Sequence, residues 1–149
     1  MLEDDAILAV STLLARYPHA VDVGTPEEVG SLFGEHGRLI AHGGRVCTGE
    51  AGVAAFLTES RASRSNSPGG SRLRHHVSSE SINVDGQRAT AVSYFMAIGN
   101  NGPDHWGVYE DKLACIDDSW LFEERVITIE GADPAGWVGS GAAPVRLAR

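Results

Sequence analysis

The chain has 149 residues, of which 42% are hydrophobic and 21% are charged. This profile is typical of one compact soluble domain, and we expect a single domain over residues 1–149. Aspartate and glutamate total 20 against 12 lysines and arginines, which gives a formal net charge of −8. Because no cluster of basic residues offers a track for phosphates, binding to nucleic acid or to an anionic membrane surface is disfavoured.

The sequence contains no recognisable targeting signal and few cysteines. No apolar run approaches the roughly 18 residues that a membrane span requires, and the N-terminus lacks the basic start of a signal peptide. We therefore expect a cytoplasmic protein. The two cysteines, Cys47 and Cys115, form no CxxC pair. We interpret both as buried, small apolar side chains, and a disulfide between them stays open at this stage.

The first predicted helix begins at Asp4 or Asp5, either of which can cap it. Its apolar residues repeat every three to four positions, as one buried stripe requires: Ile7, Val10, Leu13, Leu14, Tyr17 and Val21. Pro18 is expected to end or kink this helix, because proline has no N–H to donate. Asp22 then lies at or just beyond the end of the helix.

Two further helices are predicted. Residues 25–28 combine a threonine cap, a proline at the first helical position and a glutamate that closes a capping box. The helix that they begin is expected to run through Phe33 and to end at Gly34. The third helix follows Gly49 and carries the apolar residues Val53, Phe56 and Leu57.

The other predicted elements are strands. A small hairpin surrounds Gly43-Gly44, with strands at residues 38–42 and 45–48. Residues 63–71 form a polar loop that could act as a lid. Four more strands follow, separated by turns rich in Gly and Asp: 72–84, 88–98, 105–116 and 120–130.

Helices that precede an antiparallel meander predict an α+β fold. The helices would pack on a strongly curved, mainly antiparallel sheet that encloses a pocket. Residues 131–149 are rich in Gly, Ala and Pro and are expected to form an irregular tail. Within this tail, Trp137 either covers an opening of the pocket or meets a second subunit.

His75 is the first candidate for a catalytic residue, because the proton affinity of histidine lies close to neutral pH. Alternate residues of a strand face opposite sides, so His75 and His76 do not both point into one pocket. His75 shares its face with Val77, whereas His76 shares its face with Ser78 and Glu80. From this pattern, a catalytic His75 and a histidine hydrogen-bonded on a wet face are about equally supported.

Asp22 is the candidate partner of His75. A carboxylate that binds one ring nitrogen fixes the tautomer and raises the basicity of the other nitrogen. The pair would then form a general base without a metal or a cofactor. The alternative for Asp22 is a loop aspartate that caps the following turn.

The strand at residues 105–116 supplies further candidates. By alternation, His105, Gly107, Tyr109 and Asp111 share one side, and a glycine between larger groups can leave room for a ligand. Tyr109, with Tyr17 across the cavity, would donate a hydrogen bond to a substrate oxygen. Ordinary core tyrosines with satisfied hydroxyl groups are the alternative for both.

Motifs for metals and nucleotides are absent from the sequence. It contains six histidines but no HExxH and no Cys/His cluster. Gly43-Gly44 and Gly69-Gly70 lie in turns rather than in a GxGxxG or P-loop context, and no GxSxG elbow occurs. We therefore expect neither a metal nor a nucleotide cofactor.

Six short motifs follow one another in a characteristic order and spacing over most of the chain. They lie at residues 13–22, 32–37, 49–50, 74–75, 107–111 and 120–125. With them, the sequence resembles the SnoaL-like branch of the superfamily named for nuclear transport factor two. The resemblance implies a cone-shaped α+β barrel, in which helices close a strongly bent mixed sheet around a deep apolar pocket. Enzymes of this family include scytalone dehydratase, hexachlorocyclohexane dehydrochlorinase, ketosteroid isomerase and polyketide cyclases.

The resemblance also implies roles for individual residues. In the first two of these enzymes, the catalytic pair consists of an aspartate that ends the first helix and a histidine that opens a central strand. Asp22 and His75 occupy the matching places. His105 lies within a residue or two of the place of a second catalytic histidine. The same superfamily also contains small subunits of ring-hydroxylating dioxygenases and non-catalytic binding proteins.

Two functions are consistent with the sequence. The first is a cofactor-independent lyase, isomerase or cyclase that abstracts a proton, removes water or closes a ring on an aromatic or polyketide-like substrate. His75 would be its base, Asp22 the orienter, and Tyr109 and Tyr17 the donors to an oxyanion. The second is a non-catalytic ligand-binding or small-subunit module. For partners, we expect an apolar or aromatic small molecule and a homo-oligomer, either a dimer or a trimer.

Overall fold

Three helices and six strands occur within residues 3–67 and 72–145, which are those that the computed structural model describes. The helices are α1 (Glu3–Val23), α2 (Pro26–Gly30) and α3 (Gly49–Ser65). The strands are β1 (Phe33–Ala41), β2 (Arg45–Thr48), β3 (Arg74–Asp85), β4 (Arg88–Gly99), β5 (Gly102–Ile116) and β6 (Ser119–Ala132). Residues 68–71 of the predicted lid loop and 146–149 of the tail lie outside the described residues, and residues 63–65, predicted to be loop, end α3 instead.

α1 follows the predicted apolar stripe with two corrections. Val10, Leu13, Leu14, Tyr17 and Val21 are buried, whereas Ile7 is 36% exposed and lies outside the stripe. The helix continues past Pro18 to Val23, so Pro18 does not end it. Pro18 has no N–H to donate to the helix. The helix nevertheless continues, because the apolar side chains before and after Pro18, such as Tyr17 and Val21, are buried against the core. Asp22 therefore lies in the last helical turn.

The capping box that begins α2 is confirmed. The Thr25 hydroxyl accepts from the Glu28 N–H at 3.1 Å, and the Glu28 carboxylate accepts from the Thr25 N–H at 2.7 Å. The predicted end of this helix is wrong, because α2 ends at Gly30 and Phe33 begins β1. The ring of Phe33 packs 5.1 Å from that of Phe122 on β6, a long-range contact that the local pattern does not reveal.

One curled sheet contains all six strands in the order β2-β1-β6-β5-β4-β3. β1 and β6 run parallel, and every other neighbouring pair is antiparallel. The predicted α+β class and the mainly antiparallel curved sheet are confirmed, although the sheet does not close. Bulges increase the local bend of strands, and β3 has one between Ser78 and Ser81, where Ser79 has φ of 55°.

Two tight turns contain the positive φ angles that their hairpins require. Gly43 and Gly44, between β1 and β2, have φ of 90° and 87°. Asp117 and Asp118, between β5 and β6, have φ of 48° and 60°. The Asp117-Asp118 connection is a two-residue turn, whose twist such angles match, and the connection between β1 and β2 has three residues, 42–44.

Helices α1 and α3 lie against β3 and β1 and cover one face of the sheet. Apolar side chains from both layers form a single core, which surrounds the cavity described below. Cys47 is buried as predicted, but Cys115 is only half-buried, and both thiols are free. None of the helices in the described part of the chain is long and apolar enough to cross a membrane.

Candidate active site

His75 and Asp22 are in direct contact. His75 Nδ1 lies 2.6 Å from Asp22 Oδ1, and the backbone N–H of His75 donates to Asp22 Oδ2 at 2.8 Å. The two side chains are 10% and 7% exposed, respectively. Because a carboxylate only accepts, the Nδ1 hydrogen faces Asp22, and Nε2 of the neutral ring keeps its lone pair. His76 is exposed on the other face, as predicted.

A second pair of the same kind faces the first. His105 Nδ1 lies 2.7 Å from Asp104 Oδ1, and the ring centres of His75 and His105 are 5.8 Å apart. Sequence reasoning named His105 but missed Asp104, because neighbours in a regular strand face opposite sides. The pairing of β5 with β4 shifts register here, so that Asp104 and His105 are both buried.

Burial and hydrogen bonding shift the pKa values of both His105 and Asp104 downward. Burial lowers the pKa of His105 below its ordinary value, and the hydrogen bond to Asp104 opposes this shift only in part. Burial raises the pKa of Asp104, but hydrogen bonds from His105 and from the Trp137 N–H outweigh it, so the net shift is downward. At neutral pH, Asp104 is ionised and His105 is a neutral ring that can accept through Nε2.

Tyr17 and Tyr109 lie together at the inner end of the site, with ring centres 5.9 Å apart. The guanidinium carbon of Arg125 is 4.2 Å from both ring centres, and Arg125 donates two hydrogen bonds of 2.7 Å to Asp111. Burial raises the pKa of Tyr17 to about 12 and that of Tyr109 well above its ordinary value. Both phenols therefore stay protonated and can donate hydrogen bonds.

Arg125 is a residue that sequence reasoning missed. It is fully buried, although it lies on a strand of a protein in which most charged groups are exposed. The available signal was its place in β6 between Phe122 and Ile127, where an inward arginine needs a buried carboxylate. Asp111, on the same predicted face as Tyr109, supplies that carboxylate with both side chains at 0% exposure.

Gly107 does not leave room for a ligand, so that prediction is wrong. A side chain added there would collide with the backbone of Thr128 on β6. The pairing of β5 with β6 shifts register between Trp106 and Gly107. The missing side chain thus permits close approach of the neighbouring strand.

A mainly apolar cavity of about 80 Å³ joins these groups. His75, His105, Tyr17 and Tyr109 line it together with Phe95, whose ring stacks on that of Tyr109 at 4.3 Å. Arg61 and Arg64 on α3 also contribute to its lining. Within the described residues, no three His, Cys, Asp or Glu side chains are grouped as metal ligands would be.

Trp137 covers one side of the cavity, which is one of its two predicted roles. Its backbone N–H donates to Asp104 Oδ2 at 2.6 Å, and its indole N–H donates to Ser63 Oγ at 3.0 Å. The indole ring lies 6.2 Å from the ring of His105. Asp104 therefore orients His105 and at the same time ties the C-terminal segment over the pocket.

A curled six-stranded sheet, closed by helices around a cavity with inward histidines, defines the cone-shaped α+β class that the sequence predicted. The model of the SnoaL-like domain matches residues 3–126, and the chain belongs to this family. A comparison with proteins of curated function finds no significant match.

Solved structures with the same fold have diverse descriptions. A Mycobacterium tuberculosis protein of unknown function is 24% identical with a TM-score of 0.73, and the match covers 84% of this chain and 72% of that one. A proposed scytalone dehydratase from Novosphingobium aromaticivorans is 22% identical with a TM-score of 0.69, over 86% of each chain. The beta subunit of a proposed aromatic-ring-hydroxylating dioxygenase from that bacterium is 18% identical with a TM-score of 0.69, over 87% and 92% of the chains. All three proteins are less than 25% identical to this chain, and the TM-scores show that they share its fold.

Proposed function

We propose that this protein is a cofactor-independent lyase, isomerase or cyclase that moves a proton on an aromatic or polyketide-like substrate. The observation that carries the proposal is the placement of two His–Asp pairs across one apolar cavity, with ring centres 5.8 Å apart. The proposed scytalone dehydratase with the same fold supports this class of reaction.

His75 is the general base in this mechanism. Its Nε2 takes a proton from a carbon next to a carbonyl group, and Asp22 stabilises the resulting imidazolium through Nδ1. The imidazolium then returns the proton to a leaving hydroxyl in a dehydration, or to another carbon in an isomerisation. A positive His75 disfavours protonation of His105, which therefore serves as a neutral acceptor for a substrate hydroxyl.

Tyr17 and Tyr109 stabilise the negative charge that develops on the substrate oxygen. Their raised pKa values keep the hydroxyl hydrogens in place for donation. The guanidinium of Arg125 lies against both rings and favours negative charge there, with the paired carboxylate of Asp111 opposing it. The site thus combines a partly exposed base with buried hydrogen-bond donors.

The test compares His75→Ala with His76→Ala, since the second histidine is adjacent but exposed. Aryl ketones and aromatic β-hydroxy ketones are incubated with each protein in deuterium oxide, and proton exchange and loss of water are followed by NMR. We expect the wild type to be active and His75→Ala to be slower by about a hundred- to ten-thousand-fold. His76→Ala should retain the wild-type rate. An unchanged rate in His75→Ala would exclude the mechanism.

A non-catalytic ligand-binding or small-subunit module is the second candidate function. The dioxygenase beta subunit with the same fold favours it. Under this alternative, wild type and His75→Ala would be equally inactive on every ketone while still binding aromatic ligands. Ligand binding by calorimetry, measured beside the exchange assay, separates the two functions.

We also propose that two copies of the chain associate through the outer face of β4 and β5. Val92, Tyr94, Met96 and Trp106 are 39% to 56% exposed on this face. A group of exposed large apolar side chains on one face is typical of a protein–protein contact. Light scattering should show a dimer that Tyr94→Arg dissociates, whereas the control Val46→Arg should leave it intact.

A further inference from the structure

Arg64 is a charged residue of the cavity that contacts no counterion in the part of the chain that the structure describes. It lies in the last turn of α3 and lines the same cavity as His75 and His105. The interaction that the structure gives its side chain within the described residues is stacking on Trp137, with the guanidinium carbon 5.9 Å from the ring centre. Arg64 also lines a second depression with Asp22 and Arg74, and its hydrogen-bond donors are available to a ligand on the side of the cavity.

The neighbouring Arg61 has a different role, although it lines the same cavity. Its guanidinium donates to the carbonyl oxygens of Ala20 and Val21 at 3.1 and 3.0 Å. These oxygens belong to the last turn of α1, where a cation offsets the unpaired carbonyl groups of the helix. Arg61 is thus a structural residue, and Arg64 is the cationic group that remains for recognition.

The nearest carboxylates do not neutralise Arg64 by contact. Both Asp22 oxygens accept from His75, and the Asp104 oxygens accept from His105, Trp137 and Val138. Arg64 is also half-buried, and this burial lowers its pKa, with Asp22 and Asp104 opposing the shift from a distance. A partly desolvated guanidinium without an ion pair gains most from an anionic oxygen, which it can bind through two parallel hydrogen bonds.

We propose that Arg64 binds an acidic oxygen of the substrate, and that the substrate is therefore an aromatic acid, either a carboxylic acid or an acidic phenol. This assignment rests on the proposed function, because it names the substrate class of the same pocket. The anionic group lies at Arg64 beside the indole of Trp137, and the aromatic body enters the apolar cavity towards Phe95.

The binding test uses aryl carboxylates of one and two rings, each paired with its neutral carboxamide: benzoate, phenylacetate, salicylate and 2-naphthoate. Calorimetry measures the affinity of each for wild type, Arg64→Gln, Arg64→Lys and Arg16→Gln. Arg16 is an exposed arginine on α1 outside the cavity, so its variant is the control for lost charge. We expect wild type and Arg16→Gln to prefer the acid at least tenfold, and Arg64→Gln to show no preference. Arg64→Lys should retain part of it, because an ammonium keeps the charge without the planar fork.

Four results would overturn the assignment. The first three are equal affinity of wild type for acid and amide, a preference that survives in Arg64→Gln, and no binding of any acid in the set. A loss of affinity that is equal for acid and amide in Arg64→Gln would also overturn it, because Arg64 would then only support Trp137. These results are independent of turnover. His75→Ala should keep the preference for acids while losing exchange activity, so the two proposals fail separately.

Discussion

Ala97 lies between the two catalytic candidates on the central strand of the site. It pairs with His75 on one side, through β3, and with His105 on the other, through β5. Residues directly opposite each other in antiparallel strands have their side chains on the same face. The short side chain of Ala97, which is fully buried, therefore leaves the space in which the two imidazole rings approach to 5.8 Å.

Enlarging Ala97 should separate the two rings. The two added methyl groups of Ala97→Val enter a packed region, and overpacking of this kind costs about 1 to 3 kcal/mol of unfolding free energy. We expect a larger relative loss of exchange activity than of stability, because the cavity at the rings is filled. Urea denaturation and the NMR exchange assay check the two quantities. Thr90→Val, on the exposed face of the same strand, should change neither.

Asp104 has two functions, and its hold on the C-terminal segment can be tested by hydrogen exchange. Its carboxylate accepts from the ring of His105 and from the backbone N–H groups of Trp137 and Val138. In Asp104→Ala, we expect faster hydrogen exchange at the amides of Trp137 and Val138, because both lose their acceptor. The amide of His75, bound by Asp22 at 2.8 Å, should exchange as in the wild type.

The Asp104 experiment also bears on access to the pocket. An apolar cavity of about 150 Å³ is known to hold benzene, and the cavity here is about 80 Å³. An aromatic ligand therefore requires part of the cavity wall to move, and we expect this part to be the segment around Trp137. Asp104→Ala should accelerate ligand association, as measured by stopped-flow fluorescence. Equal association rates in the two proteins would show that entry does not pass the C-terminal segment.

The fold could be predicted to a large extent because its signals are local. The capping box at Thr25, the glycines of the first hairpin and the Asp117-Asp118 turn each act within a few residues. The end of α2 could not be predicted in the same way. Phe33 is a strand residue because its ring packs on Phe122, which lies far away in the sequence.

The site was predictable only in part. Asp22 and His75 were found through family resemblance and through the place of each residue in its element. Asp104 depends on a register shift in β5, which has no clear signature in one sequence. Arg125 depends on the distant Asp111, and both were identifiable only as polar residues on faces that should be apolar.

The stability of the folded chain should depend on Arg125 and Asp111 being present together. Removing one partner leaves a buried charge without compensation, which costs about 3 to 5 kcal/mol. We expect this loss in Asp111→Leu and in Arg125→Met alone, measured by urea denaturation. The double variant Asp111→Leu with Arg125→Met should lose less than the sum of the two. Additive losses would show that the two side chains do not stabilise each other.

The buried phenols predict a specific loss of stability at alkaline pH. The pKa of Tyr17 is about 12 in the folded chain and 10.0 for a free phenol, because burial disfavours the phenolate. Between these values the folded chain holds a proton that the unfolded chain has released, so stability falls as pH rises from about 10 to about 12. At about pH 12, Tyr17→Phe should have lost roughly 2 to 3 kcal/mol less than the wild type. Tyr94→Phe, which removes an exposed phenol, should follow the wild-type curve, and the same pH dependence in all three proteins would contradict the burial effect.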